Sequence, residues 1–417
     1  MKRKGILFMS VALFALAIFL VGGPALGLES RDYFKVGVIT SLTGELTKGG
    51  YMTKRGYDLW EHMVNKQGGL LIKGKRYKVR LVYVDPASDP AKAARAAERL
   101  VTVEKVDFVL GPYSSMVTLG AAPIFEKYKM PHVTGSAESD LIWRKHFDWT
   151  FTFLAPTDRG ARGGITALAG VTPKPKTAAL ITADDAFSRT CADALKDEAK
   201  KRGIELTLFE IFPVGTIDFS PLVSKVKAKN PDIFVISGHP DHHIAAMKSA
   251  KSLDFNPKAY VVHWLSGDLW RELKQQADYI LGTTMWTPEA PYKGPLFKDS
   301  QSFLELFEIV YAKGQPDYSE AGTAACGVAL QIALQKAGLT PPLDANGKEL
   351  LKNELEKLET ETFFSPVNFS MEKKYWHTNI GINMITLQIQ NAHPVAVYPP
   401  QVKKKAIIYP TPGWKER

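Results

Sequence analysis

Cysteine is almost missing from this 417-residue chain, which has only Cys191 and Cys326. Two cysteines exclude a disulfide scaffold. Both fall in stretches with amphipathic helical periodicity, Ser188 to Arg202 and Ser319 to Lys336, so both are expected as reduced thiols in a core. Metal chemistry has little support: His239, Asp241, His242 and His243 put two imidazoles at i, i+4 spacing, but no second His or Cys cluster completes a site. They read as a polar helix start with one pocket histidine, and no cofactor is expected. Nucleophile elbows, zincin helices, P-loops and paired carboxylates are likewise missing from any strand-turn-helix context. Ser115 and His239 lack an orienting carboxylate and an oxyanion hole, so no catalytic residue is named and no enzyme is expected.

Long apolar runs are scarce too. One exists, Ile6 to Val21, after Lys2, Arg3 and Lys4. Ala25 and Gly27 follow at the spacing signal peptidase reads, and Gly22, Gly23 and Pro24 break the helix where a membrane anchor would continue. The expectation is a signal peptide over residues 1–27, cleaved near Gly27, and a periplasmic mature protein. No cysteine follows the apolar run to carry a lipid. The net charge of +10 falls to +7 without Lys2, Arg3 and Lys4, and the remaining lysines are scattered, including Lys403, Lys404 and Lys405 near the C-terminus. A solvated basic surface is the reading, with no nucleic-acid partner.

About 390 mature residues exceed one ordinary core. Their pattern alternates strand and helix: Phe34 to Ile39, Met52 to Asn65, Val79 to Val84, Ala91 to Val103, Val106 to Leu110 and Met116 to Tyr128. After about residue 155 the rhythm restarts. Strands are expected at Ala178 to Thr182, Leu206 to Ile211, Ile233 to Ser237 and Ala259 to His263, with helices from Ser188, Pro221 and His242 between them. Two such sets predict two doubly wound α/β lobes with a cleft at their strand ends. Further helices are expected at Ser302 to Ala312, Ser319 to Lys336 and Lys348 to Leu358, and the tail from Ile380 reads as edge strands.

Three segments, Lys35 to Gly44 (KVGVITSLTG), Val64 to Val101 and Gly111 to Ser139 (GPYSSMVTLGAAPIFEKYKMPHVTGSAES), resemble the leucine/isoleucine/valine-binding proteins. These are the substrate-binding subunits of bacterial ABC importers for amino acids and amides. The resemblance runs from about residue 33 to 310 and weakens towards the C-terminus. It implies a type I periplasmic-binding fold with three hinge crossings, near residues 154–157, 283–286 and 379–383. Lobe one would be 31–154 with 285–380, and lobe two 156–283 with 381–417. The partners implied are a small-molecule ligand and an inner-membrane ABC permease. An extracytoplasmic sensor of the same fold is the alternative.

Ser114 and Ser115 stand between a strand and a helix, where hydroxyls and free N–H groups converge on one point. On spacing alone a plain Ser N-cap fits as well; the resemblance favours ligand contact. The contacts expected are Tyr113, Ser114, Ser115, Ser136, Ala137 and Glu138 from lobe one, with Phe187, His239 and Trp264 from lobe two. Several depart from the family's pattern. Glu138 falls at or beside a family threonine, and a carboxylate there would repel a ligand carboxylate unless protonated or paired. Trp264 or Leu265 takes the place of the glutamate that receives the ligand's ammonium, and Gly49 replaces a tyrosine. The family's short disulfide would join Ser88 and Ser114, both serine here. Asp184 and Asp185 read as solvated loop acids rather than partners of a cationic ligand. The ligand classes that suit such a pocket are an amide, a urea-like solute or a small carboxylate.

Overall fold

The computed structural model describes residues 31–417 except 313, so the expected signal peptide lies outside the described residues. Two sheets carry the fold. The first has the order β2-β3-β1-β4-β5-β6, with β1 Tyr33–Ile39, β2 Leu70–Ile72, β3 Lys75–Val84, β4 Phe108–Leu110, β5 His132–Thr134 and β6 Thr150–Thr152. All its pairings are parallel except β2 with β3. The second has the order β13-β12-β11-β10-β9-β7-β8, with β7 Thr177–Ala183, β8 Glu205–Phe212, β9 Ile233–Ser237, β10 Ala259–Val262, β11 Ile280–Thr284, β12 Ile385–Gln390 and β13 His393–Tyr398. Its β7 to β11 core is parallel, and the C-terminal hairpin adds to β11 antiparallel.

The central strands are buried on both faces, β9 and β10 throughout, as a sheet covered by helices on both sides requires. On the first sheet, helix α1 (Thr47–Lys66) turns Met52, Tyr57, Trp60 and Val64 inward. Helices α2 (Pro90–Thr102) and α3 (Ser115–Tyr128) pack together on the other face, through Ala93, Ala97, Val117 and Ala121. On the second, α4 (Ala186–Lys201) and α5 (Pro240–Ser252) follow β7 and β9. The chain then returns to the first sheet with α6 (Tyr318–Lys336), buried almost all round and packed against α1. Two glycines allow that approach. A Cβ on Gly56 would lie 1.9 Å from Thr323 Oγ1, and one on Gly327 2.4 Å from the Trp60 ring.

The alternation seen in the sequence corresponds to these elements to within a few residues at most ends, with α1 extending five residues further at its start. Cys191 and Cys326 are free and buried. The reading of the tail needs correction: only β13 is an edge, because β12 lies between β11 and β13. No described helix is long and apolar enough to cross a membrane.

Candidate functional site

Where β4 and β5 end, two loops meet the start of α3. Ser114 is the N-cap residue of α3, yet its hydroxyl makes no capping bond and is buried without a partner among the described residues. Ser115 Oγ reaches across and accepts from the backbone N–H groups of Glu138 and Ser139, each at 3.1 Å. That fixes the 135–139 loop against the helix and leaves the Ser115 O–H proton free to donate. The loop then presents Ser136, whose hydroxyl is also unpartnered, and Glu138.

Glu138 Oε1 accepts from Tyr318 Oη at 2.8 Å, and its backbone oxygen accepts from Thr157. Burial pushes the Glu138 carboxyl up to about 8, so it is protonated at neutral pH. The sequence implied that a carboxylate here would repel a ligand carboxylate unless protonated or paired. The side chain lines the cavity in the neutral form.

The second lobe supplies Phe187 from the first turn of α4 and Trp264 from the segment after β10. Of the two residues that could take the place of the family's glutamate, Trp264 faces the cavity while Leu265 packs into the second lobe's core. The Trp264 indole N–H has no partner among the described residues. These groups enclose a cavity of about 10 Å³, room for roughly one water. A second space of about 10 Å³ adjoins it behind Glu138, Phe187, Trp264 and Tyr318.

Sequence reasoning missed three lining residues: Leu154, Tyr318 and Ser319. The last two open α6, beyond the region where the resemblance holds, although the capping box of Asp317 and Glu320 marks that helix start in the sequence.

Two expected contacts do not line the cavity. Ala137 is buried within the loop, and His239 belongs to a contact between the lobes. Its Nδ1 lies 2.7 Å from Tyr113 Oη, and its Nε2 lies 3.1 Å from Asp185 Oδ2. Burial keeps the Tyr113 phenol protonated; the Asp185 carboxylate can only accept, so Nε2–H donates to it, while Nδ1 shares a hydrogen bond with the phenol. Asp185 is therefore no solvated loop acid. It caps α4 through the N–H groups of Phe187 and Ser188. Against the cost of burial, His239 and Ser188 hold its carboxyl well below the usual carboxylate range.

Tyr113 fits because Gly49 has no side chain, since a Cβ there would fall 2.1 Å from the ring. The glycine in place of the family's tyrosine thus makes room for an aromatic from the neighbouring loop. His242 accepts the His239 N–H at Nδ1 and donates to Val214 O at 2.6 Å, so the histidines do not converge on one point.

Other bonds close the cleft around this centre. Ser139 Oγ donates to Ala186 O at 2.8 Å, and the Gly267 N–H donates to Asp317 Oδ2 at 2.9 Å. Lys48 bridges Asp241 at 2.5 Å and Glu272 at 2.6 Å. A larger groove of about 1000 Å³ lies elsewhere, lined by Trp270, Met285, Trp286, Tyr292 and Met384 among others. Among the described residues its side chains include no buried unpartnered polar atom, whereas the small cavity has three. The cavity is the site with unmet chemistry.

Two α/β lobes enclosing a cavity and joined by bonds across it define a type I periplasmic-binding protein. The chain belongs to the periplasmic binding protein family, whose profile matches residues 34–392. It is 26% identical to Leu/Ile/Val-binding protein homolog 8 of Brucella abortus over 54% of this chain and 57% of that protein. The match therefore spans little more than half the length of that curated relative. Homolog 3 of Brucella melitensis is 26% identical over 78% of this chain and 85% of the relative. Among solved structures, a branched-chain amino acid transporter substrate-binding protein of Streptococcus pneumoniae, in complex with isoleucine, superposes with a TM-score of 0.74. It is 19% identical and covers 91% of this chain and 100% of its own. An ABC-transporter solute-binding protein of Rhodopseudomonas palustris, in complex with benzoate, gives 0.75 at 18% identity, over 88% and 95% of the two chains.

Proposed function

We propose that this chain is the solute-binding subunit of an ABC importer of the branched-chain amino acid and amide type. It works in the periplasm, holds a small polar solute between its lobes, and delivers it to an inner-membrane permease without chemistry on the solute. The observation that carries the reading is the cavity itself: both lobes wall it, and Tyr113–His239, Ser139–Ala186 and Gly267–Asp317 hold those walls together. A ligand that contacts both lobes favours the closed arrangement by its differential affinity, and the closed form is what a membrane partner can read. The lobes would turn about crossings near residues 154–157, 283–286 and 379–383. The contacts would be Tyr113, Ser114, Ser115, Ser136, Glu138, Phe187 and Trp264, with Leu154, Tyr318 and Ser319 added.

The test is the melting temperature of the purified protein against aliphatic and aromatic amino acids, amides, urea and small carboxylates. A solute at about 100 times its Kd adds about 2.7 kcal/mol of stability. A shift confined to one chemical class, and lost in Trp264→Ala, supports the reading; a folded protein unmoved by every solute refutes it. A sensor is the second reading, because a structural neighbour from Rhodopseudomonas palustris is described as an extracellular ligand-binding receptor. Crosslinking the solute-loaded protein to inner membranes separates the two: a captured permease means import, a captured kinase means sensing.

A further inference from the structure

We infer that the solute is a small monocarboxylate that lacks an ammonium group, an inference that rests on the solute-binding reading above and adds the ligand class to it. The polarity of the cavity wall carries it. Three buried polar side chains aimed at this space have no partner among the described residues: the hydroxyls of Ser114 and Ser136 and the indole N–H of Trp264, with residue exposures of 2%, 7% and 2%. The indole is a donor and nothing else, and Ser115, having accepted two N–H bonds, has only its proton left to offer. Ser114 and Ser115 also begin the 14-residue α3, whose first N–H groups and dipole favour an anion. The buried indole N–H and the remaining Ser115 proton can only donate, so the group that satisfies them is an acceptor, to which the Ser114 and Ser136 hydroxyls can also donate.

An ammonium finds no such reception. Glu138 is the one acidic side chain on the wall, and Tyr318 already donates to it at 2.8 Å. To take up a cation it must ionise, and burial opposes that by holding its carboxyl at about 8. The ligand's carboxylate therefore lies against Ser114, Ser115 and the start of α3. An oxo or hydroxy oxygen on the same solute would meet the Trp264 N–H.

Calorimetric titration of the whole protein with matched sets decides the matter: leucine, 4-methylpentanoate, 4-methyl-2-oxopentanoate and 4-methylpentanamide, then the phenylalanine, 3-phenylpropanoate, phenylpyruvate and 3-phenylpropanamide set. The expected result is that, within at least one set, the ammonium-free acids bind at least tenfold tighter than the amino acid and the amide. The oxo acid should lead, and Trp264→Phe, which keeps an aromatic wall but removes the N–H, should weaken the oxo acid more than the plain acid and so remove that lead.

Proton linkage gives an independent sign. The other titratable side chains facing Glu138 are Tyr318, Cys191 and His263, together with Tyr113, which burial also raises well above neutrality. Burial raises the first two well above neutrality and lowers His263 to about 3, so none titrates between pH 6.5 and 8.5. Glu320, in the first turn of α6, is also at about 8, so wild type is read against Glu138→Gln. Acid affinity should fall with pH in wild type and flatten in Glu138→Gln, whereas an ammonium ligand would bind more tightly as Glu138 ionises. Tighter binding of the amino acid or of the amide overturns the inference and leaves the solute-binding reading standing. No binding in either set, together with a shift for another class in the melting panel, does the same. No binding to any solute overturns both.

Discussion

Replacing Glu138 by Gln should make the protein more stable, increasingly so as pH rises. Gln keeps the shape and an oxygen to accept the Tyr318 hydroxyl but cannot ionise. In the wild type the unfolded carboxyl titrates near its ordinary value of 4.5 and the folded one at about 8. Between those values the folded state holds a proton that the unfolded state has released, so stability falls as pH rises, by about 1.4 kcal/mol per unit. The contribution is fully present below pH 4.5 and lost by the time pH passes 8. Over the whole window the gain of the variant over the wild type should reach about 3 to 5 kcal/mol, with the upper end set by full burial. Urea unfolding of both proteins at pH 5, 7 and 9 measures it, and Glu320, which titrates in the same range, cancels in the difference. A stability difference that does not change from pH 5 to 9 would mean that Glu138 is solvated and ionised, and would refute the reasoning about the cavity wall.

Other outcomes follow from the same geometry. Gly49→Ala drives a methyl into the Tyr113 ring, and overpacking of this kind costs about 1 to 3 kcal/mol. In a double-mutant cycle with Tyr113→Ala most of that cost should disappear, and simple additivity would show that the ring does not rest on Gly49. Lys48→Ala removes two ion pairs at the cleft mouth. Because these groups are partly exposed, unfolding experiments should register no more than about 1 kcal/mol, vanishing at high salt. Cys191 and Cys326 should resist a thiol reagent in the native protein and react together only on unfolding; a fast-reacting thiol in native buffer would place one of them outside the core.

Much of this architecture can be read from the chain because its central parallel strands are apolar on both faces and several of its helices amphipathic. β1, β7, β9 and β10, with α1, α3 and α4, announce themselves by period and length. The strands β5 and β6, three residues each, do not. They are held in register by neighbours and by the bridge from Thr152 to Thr378, a contact 226 positions away that no local pattern encodes. The candidate site divides along the same line. Ser114, Ser115, Ser136 and Glu138 cluster in sequence near two strand ends and could be named. Tyr318 and Ser319 reach the cavity from a helix nearly two hundred residues later, and only the packing of α6 on α1 brings them there. His239 was legible as a cleft residue, but its direction depends on the space Gly49 leaves for Tyr113 and on the buried charge of Asp185, neither of which spacing reveals.

The central claim is that a solute binds between the lobes and draws them together. Small-angle scattering of the purified protein, titrated with whichever solute raises its melting temperature, tests that most directly. The account predicts a radius of gyration that falls and saturates at one solute per chain, with scattering at saturation that matches the closed arrangement described above. Stoichiometric binding with an unchanged scattering curve would contradict it, because the solute would then occupy a surface that closure does not involve.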